Sequence, residues 1–218
     1  MPRRIETFFS RTDREAIHAA TTAAEQKTAG ELVVYVTERC DPYPEVAWKG
    51  ALVGGALGAL CASVAAWRFG GWGAPDQLWI LLGFQLGLVV GWIASRFDAV
   101  ARRLIGEEAL GSRVDGRAAE AFLDEQVFAT RERTGVLIFV ALFEHRVRVL
   151  ADQGIDERVA DESWDEITGE LALGIRRGRP AAALIQAVER CATLLEAHGV
   201  RAADQENQLP NKPRFRRE

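Results

Sequence analysis

Two aspartates, Asp152 and Asp156, are the residues best placed to do chemistry in this 218-residue chain. They flank Gly154 in Asp152-Gln-Gly-Ile-Asp156, where a predicted strand turns into a helix. Hard divalent cations take several oxygen ligands from such turns, so the pair is the candidate metal site, for Mg2+ or Ca2+. The competing reading is local. An aspartate at a helix start accepts from free backbone N–H groups and suits the helix dipole, as Glu157 and Asp161 would too. Capping is the commoner use of such a residue. Glu25 and Glu31 flank the first helix-to-strand turn and form a second place where carboxylates converge on a sheet edge. Solvation at a helix end is the ordinary alternative there.

Other chemistries leave no trace. His18, His145 and His198 stand at no zinc-ligand spacing from one another or from Cys40, Cys61 and Cys191. His145 falls in a predicted turn, where a surface histidine is the simpler reading. The cysteines form no CxxC pair and read as free thiols in a reducing compartment. The chain has neither GxxxxGK[ST] nor GxGxxG, no GxSxG elbow and no EF-hand loop. No catalytic residue is assigned. The net charge of -4 argues against a nucleic-acid partner, which calls for a strongly basic face. With 27% charged and 48% hydrophobic residues, the composition is that of an ordinary folded protein.

The elements that must position these residues read as a small α/β (α+β) layer: a small sheet with helices on its faces. Thr12-Asp13-Arg14-Glu15 fits a capping box opening a helix that ends near Gly30. Glu31–Thr37 is rich in β-branched residues and predicts a buried strand. Gly135–Phe143 is a nearly continuous apolar run, a central strand. Glu144-His145 reads as a two-residue turn into an alternating strand over Arg146–Leu150. Helices are predicted over Phe97–Ile105 and Ala118–Arg131. Two more close the domain, one with Trp164, Ile167, Leu171 and Ile175 inward, the other following Gly178 and Pro180.

Two uncharged runs interrupt this pattern, over about 50–67 and 78–94. The first, as a helix, reaches about 27 Å, near the thickness of a bilayer core. RFGGWGAPDQ between them has the glycines, proline and charges of a tight loop. Trp48, Trp67, Trp79 and Trp92 sit near the run ends, as an interfacial aromatic belt requires. Gly50, Gly54 and Gly58, and Gly83, Gly87 and Gly91, make stripes that let helix backbones approach. They predict a transmembrane helical hairpin and offer a surface for homo-oligomers. Gln85 is expected to hydrogen-bond to the partner helix of the hairpin. Arg39, Lys49, Arg96, Arg102 and Arg103 flank the hairpin while its loop carries only Arg68, which places both flanks in the cytoplasm. The N-terminal stretch MPRRIETFFSRTDRE, lacking an apolar signal core, agrees. Arg102 and Arg103 lie on a basic amphipathic helix suited to anionic headgroups. The predicted organisation is residues 1–46 and 96–200 as two parts of one domain, 47–95 as the inserted hairpin and 201–218 as a flexible tail.

Glu25-x-x-Thr28-x-Gly30-Glu31, with the strand after it, and Arg133–Ile155 (RTGVLIFVALFEHRVRVLADQGI), followed by Trp164 and two closing helices, resemble the TPM domain family. The resemblance runs from about Ile5 into the forties and from Ala118 to His198, and the downstream block is the more specific part. It implies a compact sheet with helices on its faces, usually membrane-anchored. It also implies calcium binding in some members and acid phosphatase activity in one branch. This chain departs from the family pattern in that the spans interrupt the domain and the domain is predicted cytoplasmic, where free calcium is scarce.

The functional expectation is a cytoplasmic domain at the inner membrane that acts as an interaction or assembly module for a protein partner. The alternative is a divalent-metal-dependent, acid-type phosphatase using Asp152 and its neighbours. A channel is disfavoured, since neither run contains a charge.

Overall fold

Glu31–Thr37 (β1) and Gly135–Ala141 (β2) are buried at every position, as parallel strands covered on both faces should be. A computed structural model describes residues 4–69, 76–130, 132–156, 158–198, 211 and 213–216, with only the backbone of Asp76, Asp156 and Asp161. Contacts divide the chain into two units, Met1–Asp41 with Ser112–Glu218, and Pro42–Gly111.

In the first unit β1 and β2 pair in parallel, Glu31 opposite Gly135 and Thr37 opposite Ala141. Arg146–Ala151 (β3) runs antiparallel to β2, and Arg214–Arg216 (β4) lies parallel to β1, giving the order β3-β2-β1-β4. Because side chains alternate across a strand, β1 and β2 feed two cores. Leu32, Val34, Val36, Val136, Ile138 and Val140 face one way. Their partners come from Arg4–Phe8 (α1), Arg11–Glu25 (α2), Asp161–Arg176 (α8) and Pro180–Ala197 (α9). On the other face Val33, Tyr35, Leu137 and Phe139 meet Val114, Ala118 and Ala121 of Glu107–Asp124 (α6). Tyr35 stacks on Phe139 at 5.4 Å, and Arg117 of α6 donates to the Tyr35 hydroxyl at 3.0 Å.

The strands and the α/β class are as read from the sequence; several boundaries are not. The capping box is Ser10 with Asp13, not Thr12 with Glu15: Ser10 Oγ accepts from the Asp13 N–H at 3.1 Å and the Asp13 carboxylate accepts from the Ser10 N–H. Two such patterns overlap there, and Phe9, fully buried just before Ser10, selects the first. The helix expected over Ala118–Arg131 begins at Glu107 and ends at Asp124, where Gln126 takes a left-handed conformation (φ 54°) before a 3-10 turn, Val127–Ala129. The β2–β3 connection spans four residues, Leu142–His145, since Ala141 pairs with Arg146. Of the expected loose tail, Arg214–Arg216 is instead paired sheet; residues 199–210, 212, 217 and 218 lie outside the described residues.

The second unit contains Glu45–Phe69 (α3), Asp76–Ala94 (α4) and the amphipathic Asp98–Ile105 (α5). Helices α3 and α4 pack antiparallel, with Gly50 against Gly91, Gly54 against Gly87 and Gly58 against Gly83. A Cβ added at Gly54 would lie 2.6 Å from the Gly91 Cα, so the backbones touch as they do only where side chains are absent. Both helices are long and apolar enough to cross a membrane, and about a tenth of each, 11%, is buried. Trp48 and Trp92 are exposed at one end, Trp67 and Trp79 at the other; Trp72 lies outside the described residues.

Gln85 is exposed, on the side of α4 away from the glycines, and is not bonded to α3 as the sequence reading expected. The glycine contact is so close that it selects which face turns inward. Gln85, two positions from Gly83 and Gly87, falls on the opposite side of the helix.

Candidate functional site

The sequence-predicted candidates gather at the amino-terminal ends of β1 and β2. Asp152 closes β3 and opens Gln153–Asp156 (α7). Its N–H donates to the Gly135 carbonyl and its carbonyl accepts from the Ile155 N–H, each at 2.9 Å. The residue is only 4% exposed. Oδ1 accepts from the Gln153 N–H at 2.9 Å, and Oδ2 lies 3.0 Å from Arg133 Nε. Gly154 permits this turn, since a Cβ there would stand 2.8 Å from the Arg133 carbonyl oxygen. Arg133 itself adopts φ 56°, a conformation costly for a non-glycine residue.

Oδ1 is thus hydrogen-bonded, while Oδ2 is buried without a hydrogen bond and has only the Arg133 guanidinium beside it. The Asp156 side chain lies outside the described residues. Among the described residues no three of His, Cys, Asp and Glu come together to hold a metal ion.

Glu25 and Glu31 do lie near each other. Glu25 Oε1 accepts from the Leu32 N–H at 3.0 Å, tying the end of α2 to β1. Burial pushes the Glu25 carboxyl up to about 8, and the charge of Glu31 adds to the rise; the Leu32 N–H and the Asn211 side chain oppose it. Around them the Thr-Gly pairs stitch the strand starts together. The Gly30 N–H donates to Thr28 Oγ1, Thr134 Oγ1 donates to the Ala29 carbonyl, and the Glu31 N–H donates to the Thr134 carbonyl, all at 3.1 Å. A Cβ at Gly30 would stand 2.6 Å from Leu195 Cδ1. This end of the sheet is an assembled joint.

The carboxyl end is different, and sequence reasoning passed over it. Glu144, read only as half of a turn, is 3% exposed, and its Oε1 accepts from the Cys40 N–H at 2.9 Å. Arg39 stacks over the Phe143 ring at 3.9 Å. Beside them a cavity of about 380 Å3 is lined by Phe8, Leu142, His145, Val147, Ile175 and Arg176, among others. Its size is that of a small-molecule or anchor-residue pocket. The carboxyl ends of strands are where open α/β sheets place ligands. A turn acid is ordinarily solvated, so nothing local in Phe-Glu-His-Arg signals a buried carboxylate. His145 is exposed, at φ 55°.

Among curated proteins no match is found. The fold is similar to the NMR structure of the BA42 protein from the psychrophilic bacterium Bizionia argentinensis. The two share 19% identity and a TM-score of 0.59, with 99% of each chain covered. Residues 103–194, from α5 through most of α9, match the family model described as the TPM domain. The upstream strand β1 lies outside that match but pairs along its whole length with β2 inside it. The resemblance carried by Arg133–Ile155 is thus borne out: that block falls inside residues 103–194, the part of the chain that matches the TPM domain model.

Proposed function

We propose that this chain is a membrane-anchored interaction module: a TPM-type domain on the cytoplasmic side of the membrane, held there by the α3–α4 hairpin and presenting a docking surface. The observation that carries the reading is the hairpin itself. Its helices bury their glycines against each other and turn Leu52, Leu57, Leu60, Leu82, Leu86 and Val90 outward, each at least half exposed. Water would penalise that surface at about 25 cal/mol per Å2, whereas lipid does not. Lys49, Arg96 and Arg103 stand at the end that joins the rest of the chain, with Arg68 alone at the loop end, which supports cytoplasmic flanks. Arg96 stacks on Trp92 at 4.2 Å, as a residue anchored at the headgroup level does. The cavity beside Leu142 and Val147 supports the docking role.

The test uses full-length protein in its native membrane. Carbonate washing should leave it in the pellet, and a reporter fused to either terminus should read cytoplasmic. Cross-linking in intact membranes should then recover a repeated partner attached through Phe8, His145 or Arg176. Extraction by carbonate removes the anchor; a reporter read on the far side inverts the topology.

The phosphatase alternative gains no support from the geometry. Asp152, the residue it needs, is paired with Arg133 and bonded to its own turn.

A further inference from the structure

Gln85 stands at the midpoint of α4, nine residues from Asp76 and nine from Ala94. It is exposed. Leu78, Leu82, Val89 and Trp92 are exposed on the same helix, at 49%, 58%, 55% and 45%. With Gln85 they follow the spacing four, three, four, three. That is the seam of a left-handed helix pair, in which positions alternately four and three residues apart all come round to one face. The stripe that the sequence offered for association, the glycines, is already used inside the hairpin. The seam is a different face, and among the described residues nothing in the second unit covers it.

A polar amide at the middle of a span has two donors and an acceptor with no water to satisfy them. We propose that the protein dimerises in the bilayer through this seam, Gln85 of one copy hydrogen-bonding to Gln85 of the other. The inference rests on α4 crossing the membrane. Two copies inserted with one orientation have their α4 helices parallel, so residues of equal depth meet about a two-fold axis along the membrane normal. An amide suits that symmetry because it is its own complement: each Nε2–H donates to the other Oε1. Leu82 and Val89 then pack on their counterparts one turn to either side. A single polar residue in an apolar seam selects register and stoichiometry, which a stripe of leucines alone does not.

The experiment counts subunits by stepwise photobleaching of full-length protein, fused to a fluorescent protein, in phosphatidylcholine bilayers at low density. Wild type should show two steps. Gln85→Leu, which keeps the apolar seam, should weaken dimerisation about tenfold. Gln85→Asn should restore part of it, and adding Leu86→Gln to the Gln85→Leu chain, which moves the amide off the seam, should not. The Gln85→Leu protein stays carbonate-resistant, so loss of pairing is not loss of insertion. A carbonate-resistant wild type that bleaches in one step overturns the dimer and leaves the anchor standing. Pairing unaffected by Gln85→Leu overturns it as well, as does exclusive cross-linking of position 85 to another protein. Wild type extracted by carbonate overturns both.

Discussion

Arg133 Nε lies 3.0 Å from Asp152 Oδ2 across the turn that joins β3 to α7, an ion pair with one partner almost wholly buried and the other half exposed. The exposed arginine costs little to hold; the buried aspartate depends on it. Removing one partner of such a pair leaves a desolvated charge. Arg133→Gln should therefore destabilise the domain by about 1–3 kcal/mol, and Asp152→Asn by a similar amount. Chemical denaturation of the full-length protein measures both. If Asp152 were a catalytic metal ligand in place of a structural one, Arg133→Gln would alter activity while leaving stability unchanged.

Glu25 gives a pH dependence with an unusual sign for a carboxylate. Burial raises its carboxyl to about 8, so between the ordinary carboxylate range and that value the folded state holds a proton the unfolded chain has lost. Stability from this group is complete at low pH and is lost as pH rises through about 8. Glu25→Gln, neutral at every pH, should flatten the fall in thermal midpoint between pH 6 and pH 9 (a range about the raised value). An unchanged slope would place the titration elsewhere.

Gly54 and Gly87 set the distance between α3 and α4. Gly54→Val should force the helices apart, because the added carbons meet backbone atoms of Gly87 and Gly91 that cannot rotate away. Overpacking of this kind costs about 1–3 kcal/mol. It should appear as faster proteolysis of the hairpin in bilayers and a lower thermal midpoint of the full-length protein. Gly116, which has nothing within 4 Å of an added Cβ, serves as the control: Gly116→Ala should raise stability by about 0.5–1 kcal/mol.

The carboxy-terminal strand is held by charge as well as by pairing. Glu125, at the end of α6, accepts from Arg214 Nε at 2.7 Å and from Arg216 at 3.4 Å, while Arg14 of α2 stacks over Phe215. Ending the chain at residue 210 should lower the thermal midpoint and expose the β1 edge to hydrogen exchange at Tyr35–Thr37. Glu125→Gln should loosen the same strand, with less protection lost at β1. An unprotected edge invites pairing with another chain, so the truncated protein should also aggregate more readily.

Burial also shields Cys191, whose thiol is pushed up to about 12. A maleimide at pH 8 should leave Cys191 unmodified in the folded protein and label it in guanidinium, as mass spectrometry of the peptide would show. Labelling without denaturant would mean that α9 opens locally.

Glu31–Thr37, Gly135–Ala141 and the hairpin were legible in the sequence because each depends on local rules. A strand buried on both faces is a continuous apolar run, and a helix facing lipid is a longer one. Residues far apart could not be read in this way. Nothing local says that Asp152 meets Arg133, nineteen positions earlier, or that Phe-Glu-His-Arg hides its glutamate. The tail looked unstructured because Arg214–Arg216 has no apolar pattern; pairing to β1 and two bonds to Glu125 supply what its side chains lack.

The hairpin shows the boundary most plainly. Composition alone determined that residues 50–67 and 78–94 are helices suited to lipid, and glycine spacing determined that backbones approach there. Whether the two stripes meet each other or meet another molecule is a question of rotation about the helix axis, and each helix by itself permits both. Tertiary structure decided it: glycine meets glycine within one chain. That choice turned Gln85 outward, away from the partner the sequence had assigned to it.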